Sequence, residues 1–177
     1  MTTNVLEALA YIGGAIGPKG KVVVNLSYGA LAGPHDGTTL LEEAMDDLRT
    51  TDSRFLSIVL PAGNGYDSRT HARILATNDA RWHDMPLQLL PNDPTDTYVE
   101  LWYSPFSTDA GSVGKAAIDI EVVAPDGSRS MPVPVGAFVE LRASVGPPLA
   151  AIVHIESPTA GGGTKHMALL AVAPTQT

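Results

Sequence analysis

A chain of 177 residues, 44% of them hydrophobic, can bury one large core or two small ones. Its formal net charge of −8 argues against a nucleic-acid partner, which would call for a basic patch. The absence of cysteine excludes a disulfide framework, thiolate chemistry and Cys-ligated metal. The first residues lack the basic region of a secretory signal, and no apolar run approaches the ~20 residues of a membrane span, so no membrane partner is expected.

Thr3 or Asn4 can cap a first helix carrying Val5, Leu6, Leu9, Ala10 and Ile12. Gly13 and Gly14 weaken it, and Gly17-Pro18-Lys19-Gly20 ends it. Lys21–Ser27 is apolar and β-branched and predicts a strand. After the turn Gly33-Pro34-His35-Asp36-Gly37, Thr39 with Glu42 makes a capping box for a helix over about Thr39 to Thr50. Leu40, Leu41, Ala44, Met45 and Leu48 share one face of that helix, with Asp46, Asp47 and Arg49 on the solvated side. Phe55–Leu60 is a second apolar strand. Strand, helix, strand implies a right-handed crossover between parallel neighbours of a buried sheet. Functional groups then belong just beyond the carboxyl ends, at Ser27-Tyr28-Gly29 and Ala62-Gly63-Asn64.

Gly65–Arg81 is polar and irregular. Beyond it, strands are predicted at Met85–Leu90, Tyr98–Ser104, Ala116–Val123, Ala137–Ser144, Ala150–Ser157 and His166–Ala173. Turn signals punctuate them, Pro125-Asp126-Gly127-Ser128 most clearly. The expected fold is therefore an α/β parallel-sheet fragment to about residue 80, then an all-β, sandwich-like segment over 81–177. Two parallel strands cannot cover both faces of their own sheet, so the first piece is expected to expose apolar surface.

The two strand endings carry a family resemblance. VVVNLSYG, then a helix, then SIVLPAGN resembles the middle of a subtilisin-like serine protease, over roughly Asn4 to His71. The resemblance implies that Ser27, Tyr28 and Gly29 form one wall of the substrate channel, pairing through their backbone with an extended peptide. Tyr28 would shape a side-chain pocket. Ala62 and Gly63 would also contact the substrate, and Asn64 after them would place its amide in the oxyanion hole. The second piece would be a β-rich insertion of the catalytic domain. Peptide or protein substrate is the implied partner, with no cofactor and no metal.

Hydrolysis by that route also needs a nucleophilic Ser, a His base and an orienting Asp. In the family's order Asp and His precede Val5 and Ser follows Asn64 in a Gly-Thr-Ser-Met-Ala type motif. The nearest echo, Gly163-Thr164-Lys165-His166-Met167-Ala168, has Lys at the nucleophile's place and reads as a glycine turn opening a strand. The chain is thus expected to be inactive by itself, with the remaining parts of the protease domain as further partners.

Plainer readings stand beside these. Asn64 could serve only as a loop residue that tolerates the left-handed region. His35-Asp36 reads as a turn and helix start rather than a catalytic dyad. His71, Asp79, His83 and Asp84 match no compact metal site. Trp82 and Trp102 read as core of the sandwich or its junction. Tyr98, Trp102, Tyr103 and Phe106 cluster around one strand, and Glu100, Glu121 and Glu140 are placed on a solvent face. The alternative function is a non-catalytic β-sandwich module that binds an extended peptide or a carbohydrate.

Overall fold

The computed structural model describes residues 2–75, 82–105, 117–142, 147–159 and 161–176. Two compact units emerge: unit 1, Met1–Arg73 with Thr159–Gly161, and unit 2, Ile74–Pro158 with Gly162–Thr177.

In unit 1, α1 spans Thr2–Ala15, β1 Val22–Asn25, α2 Leu40–Thr51 and β2 Phe55–Val59. The capping box forms as expected: the Thr39 hydroxyl accepts from the Glu42 N–H at 3.3 Å, and the Glu42 carboxylate accepts from the Thr39 N–H at 3.0 Å. β1 and β2 pair in parallel, with Val24 opposite Ile58 and Asn25 opposite Val59. Val5 and Leu9 of α1, Met45 of α2, Val24 and Phe55 form the buried core. Both helices therefore cover the sheet face that carries Val22 and Val24. The opposite face is open, with Val23, Leu56 and Val59 exposed.

Two details differ from the helix readings. Leu40, at the first helical position, lies at the margin of the apolar face and is 73% exposed. α1 runs through Gly13 to Ala15, because Gly13 makes room for a core side chain. A Cβ built on Gly13 would lie 3.4 Å from the Phe55 ring. Packing of Phe55 thus outweighs the low helix propensity of glycine.

Asp52 closes α2, its N–H donating to the Leu48 carbonyl at 3.0 Å. Its carboxylate accepts from Arg54 through Nε at 2.9 Å, Nη2 at 2.7 Å and the backbone N–H at 3.0 Å. These donors lower its pKa to about 2. An unfolded Asp titrates near ~3.9. The folded value is the lower one, so the stabilisation is fully present above the unfolded value and is lost as pH falls through the folded one. An NMR titration should place the Asp52 midpoint near 2. Asp52→Asn should flatten the acid limb of the stability curve in that window.

In unit 2, β3 (Thr97–Tyr103), β4 (Phe138–Arg142), β5 (Pro148–Pro158) and β6 (Thr164–Val172) form an antiparallel sheet of order β3-β6-β5-β4. Predicted alternation is seen in β3, where Tyr98 and Glu100 are exposed while Val99, Leu101 and Tyr103 face inward. Met85–Leu90 is not a strand: Pro86 lacks the N–H that a ladder needs, and Leu87 and Leu90 are exposed. Ala116–Val123 yields only two isolated bridges, Ile120–Val133 and Val123–Arg129, with Ala116 outside the described residues. Pro132 and Pro134 interrupt the pairing segment. The Pro125–Ser128 turn does form, with Gly127 at φ 85° and the Ala124 N–H donating to the Ser128 carbonyl at 2.8 Å.

Candidate functional site at the strand endings

The ladder extends one residue past β1, where the Leu26 N–H donates to the Val59 carbonyl at 2.9 Å. The Tyr28 N–H then turns back onto the Leu26 carbonyl at 2.8 Å. This three-residue turn takes the chain out of the sheet after Leu26. On the neighbouring strand Pro61 has no N–H to continue pairing. Because β1 and β2 are parallel and in register to their last residues, both endings leave the same sheet edge.

The second ending turns at Gly63, φ 94°, and passes Asn64 into a single 3₁₀ turn, Tyr66–Ser68. Ser68 anchors that turn, donating from its N–H to the Gly65 carbonyl at 3.1 Å and from its hydroxyl at 2.6 Å. The two loops meet beyond the endings. A Cβ on Gly65 would lie 4.0 Å from Leu31 Cδ2, and the His35 and His71 rings stack with centroids 5.3 Å apart.

Ala62, Gly63 and Asn64 are exposed, and the Asn64 side chain makes no hydrogen bond among the described residues. Asn64 is not among the residues of positive φ; the left-handed residue of this turn is Gly63. The left-handed backbone that would favour asparagine therefore falls on Gly63, and Asn64 is an exposed loop residue. Ser27 and Gly29 are exposed, whereas Tyr28 is half-buried against the core cluster. A Cβ on Gly29 would meet nothing within 4 Å. Gly29→Ala should therefore stabilise unit 1 slightly, by about 0.4–1 kcal/mol, through the unfolded chain. Gly63→Ala, at a φ closed to alanine, should cost about 1–2 kcal/mol. Urea midpoints followed by helix ellipticity would read both.

The other sequence candidates are structural or lie elsewhere. His35 takes φ 52°, its Nε2 sits 2.9 Å from the Leu31 carbonyl, and Asp36 accepts from the Thr38 hydroxyl at 2.7 Å, which builds a loop. Asp79 and Phe106 fall outside the described residues, and His83 and Asp84 belong to unit 2. The Gly163–Ala168 echo opens β6, with Lys165 and His166 buried. Trp82 is 54% exposed rather than core. Glu121 is largely buried and pairs with Arg129 at 3.2 Å, while Glu140 pairs with Arg142. A depression of about 240 Å³ between α2 and β2, floored by Met45 and Ile58, includes none of the strand-ending residues.

The sequence reading missed a buried polar cluster in unit 2. His154 is fully buried; its Nδ1 donates to the Val133 carbonyl at 2.9 Å and its Nε2 accepts from the Tyr103 hydroxyl at 2.8 Å. The Ile118 N–H donates to the same hydroxyl at 3.3 Å. Burial pushes the Tyr103 pKa up. His166 stands edge-on to the Tyr103 ring at 4.9 Å, with its Nδ1 buried and unpartnered. The available signal was two histidines at inward positions of otherwise apolar strands. The Tyr103–His154 pair fastens residues 118–133 onto the sheet, with His154 fully buried and Tyr103 half-buried.

No protein-family model, curated protein or solved structure matches this chain.

Proposed function

We propose that unit 1 is the middle of a subtilisin-like serine protease domain, with Ser27-Tyr28-Gly29 as substrate-channel wall and Asn64, set by Ala62 and Gly63, as oxyanion donor. The observation that carries this reading is the parallel register of β1 and β2, which brings both endings to one sheet edge. The open space at Gly29 supports it, as room for a substrate backbone.

In this reading an extended peptide pairs with the backbone of Ser27–Gly29, and the Asn64 amide donates to the oxygen that gains charge in the tetrahedral intermediate. Asp, His and Ser come from further segments of the protease. The apolar outer face of β1 and β2 is where those segments pack. Unit 2 is a β-rich insertion, a sandwich in which the four-stranded sheet is one layer and the 118–133 ribbon begins the other. A donor stabilises an intermediate and cannot generate one, so the chain alone is inactive.

A fluorophosphonate probe and a peptide ester test this. The chain alone should show no labelling and no turnover; labelling of one particular serine would overturn the reading. With the triad segments supplied, activity should appear, and Asn64→Ala should lower kcat by about 10²–10³, as for such a donor in subtilisin.

One observation favours a second reading, a non-catalytic binder of extended peptide or carbohydrate. Tyr98, Trp102 and Phe138 share the outer face of the unit 2 sheet, with Tyr98 and Phe138 exposed. Saturable quenching of Trp emission by oligosaccharides or peptides, lost in Trp102→Ala, would establish it.

A further inference from the structure

We infer that Asn64 is a self-modifying site, converting to aspartate and isoaspartate by cyclisation onto Gly65. Among the five asparagines of the chain it alone precedes glycine. Residue 65 has no Cβ to hinder approach of its nitrogen to the neighbouring side chain. Both reacting groups are free: neither the Asn64 amide nor the Gly65 N–H makes a hydrogen bond among the described residues.

Two other steps of the same kind provide an internal contrast. Asp36-Gly37 and Asp126-Gly127 place a carboxyl side chain of the same length before glycine. There the side-chain oxygen is tied down, Asp36 by the Thr38 hydroxyl at 2.7 Å and Asp126 by the Ser128 hydroxyl at 2.7 Å and N–H at 2.9 Å. Their glycines sit at φ 81° and 85°, whereas Gly65 sits at φ −87°. Asn64 alone combines an amide electrophile with an untied side chain.

The step is intramolecular and involves no redox change. Solvent base takes the Gly65 amide proton, and the nitrogen lone pair attacks the Asn64 side-chain carbonyl carbon. That C–N bond closes a cyclic imide; the bond to the side-chain nitrogen breaks, and this nitrogen takes a proton from solvent and leaves as ammonia. Water then opens either carbonyl of the imide, giving aspartate or isoaspartate. The net change is one water consumed and one ammonia released. If Asn64 is the oxyanion donor, a consequence that rests on the proposed function, conversion replaces its N–H donors with a carboxylate where negative charge would develop. The donor is then switched off for good.

The test uses the full folded chain, held at neutral and mildly alkaline pH and sampled over time. Peptide mass mapping reads amide-to-acid conversion, and enzymatic methylation of isoaspartate reads the rearranged product. Conversion should appear at Asn64 ahead of Asn4, Asn25, Asn78 and Asn92, accelerate with pH, and be lost in Gly65→Ala. A Cβ at 65 would come within 3.2 Å of Ser68 Oγ, so Asn64→Gln serves as the second variant, and the label there should also be lost. The inference is overturned if Asn64 stays an amide in the folded chain while the same peptide converts once released by digestion. It is equally overturned if Gly65→Ala converts at the wild-type pace. Neither readout depends on protease activity, so its failure is distinct from failure of the oxyanion reading.

Discussion

Phe55→Ala is expected to unfold unit 1 while leaving unit 2 folded. Phe55 is 2% exposed, joins α1, α2 and the sheet in one core, and fills the space left by Gly13. Truncation of a buried phenylalanine costs about 3–5 kcal/mol. A unit of this size holds only a few kcal/mol in reserve, at about 0.05–0.15 kcal/mol per residue. Both helices lie in unit 1 and both tryptophans in unit 2. Helix ellipticity and tryptophan emission therefore report the units separately. Ellipticity should fall without denaturant, and the emission transition should stay in place. Retained ellipticity with a wild-type urea midpoint would refute the assignment of Phe55 to the centre of this core.

His154→Ala is expected to do comparable damage to unit 2. The imidazole is fully buried between two partners, the Tyr103 hydroxyl and the Val133 carbonyl. Its removal leaves the Tyr103 hydroxyl without its acceptor, at about 1–3 kcal/mol, takes one of two donors from the Val133 carbonyl, which keeps the Ile120 N–H at 3.3 Å, and opens a cavity besides. Tyr103→Phe strands His154 Nε2 and the Ile118 N–H but keeps both rings in place and opens no cavity, so its loss should be smaller. Urea unfolding followed by tryptophan emission should rank the midpoints wild type, Tyr103→Phe, His154→Ala. Equal midpoints for all three would mean that the cluster does not hold residues 118–133 to the sheet.

What was legible in the sequence was local. The Thr39–Glu42 box, the crossover from β1 to β2 and the Pro125–Ser128 turn are each specified by residues a few positions apart, and each formed. So did the inward–outward alternation of β3. What depends on distant partners was read less well. Gly13 looked like a weak point because Phe55, its reason, lies far along the chain. Met85–Leu90 has a strand's composition, but the single missing donor at Pro86 outweighs it. The inward histidines of β5 and β6 were invisible as a cluster until the antiparallel register set Tyr103 opposite His166. At the candidate site the strand endings were legible because parallel pairing alone brings them to one edge. That the positive φ falls on Gly63 rather than Asn64 was not, since either residue accepts such a backbone.

The most direct measurement is a nuclear Overhauser experiment on the side-chain amide of Asn64. If the amide belongs to a groove walled by the first strand ending, its protons should show cross-peaks to the backbone protons of Tyr28 and Gly29. Cross-peaks only to residues of its own loop, with none to 27–29, would contradict the assignment and leave the protease reading without its donor.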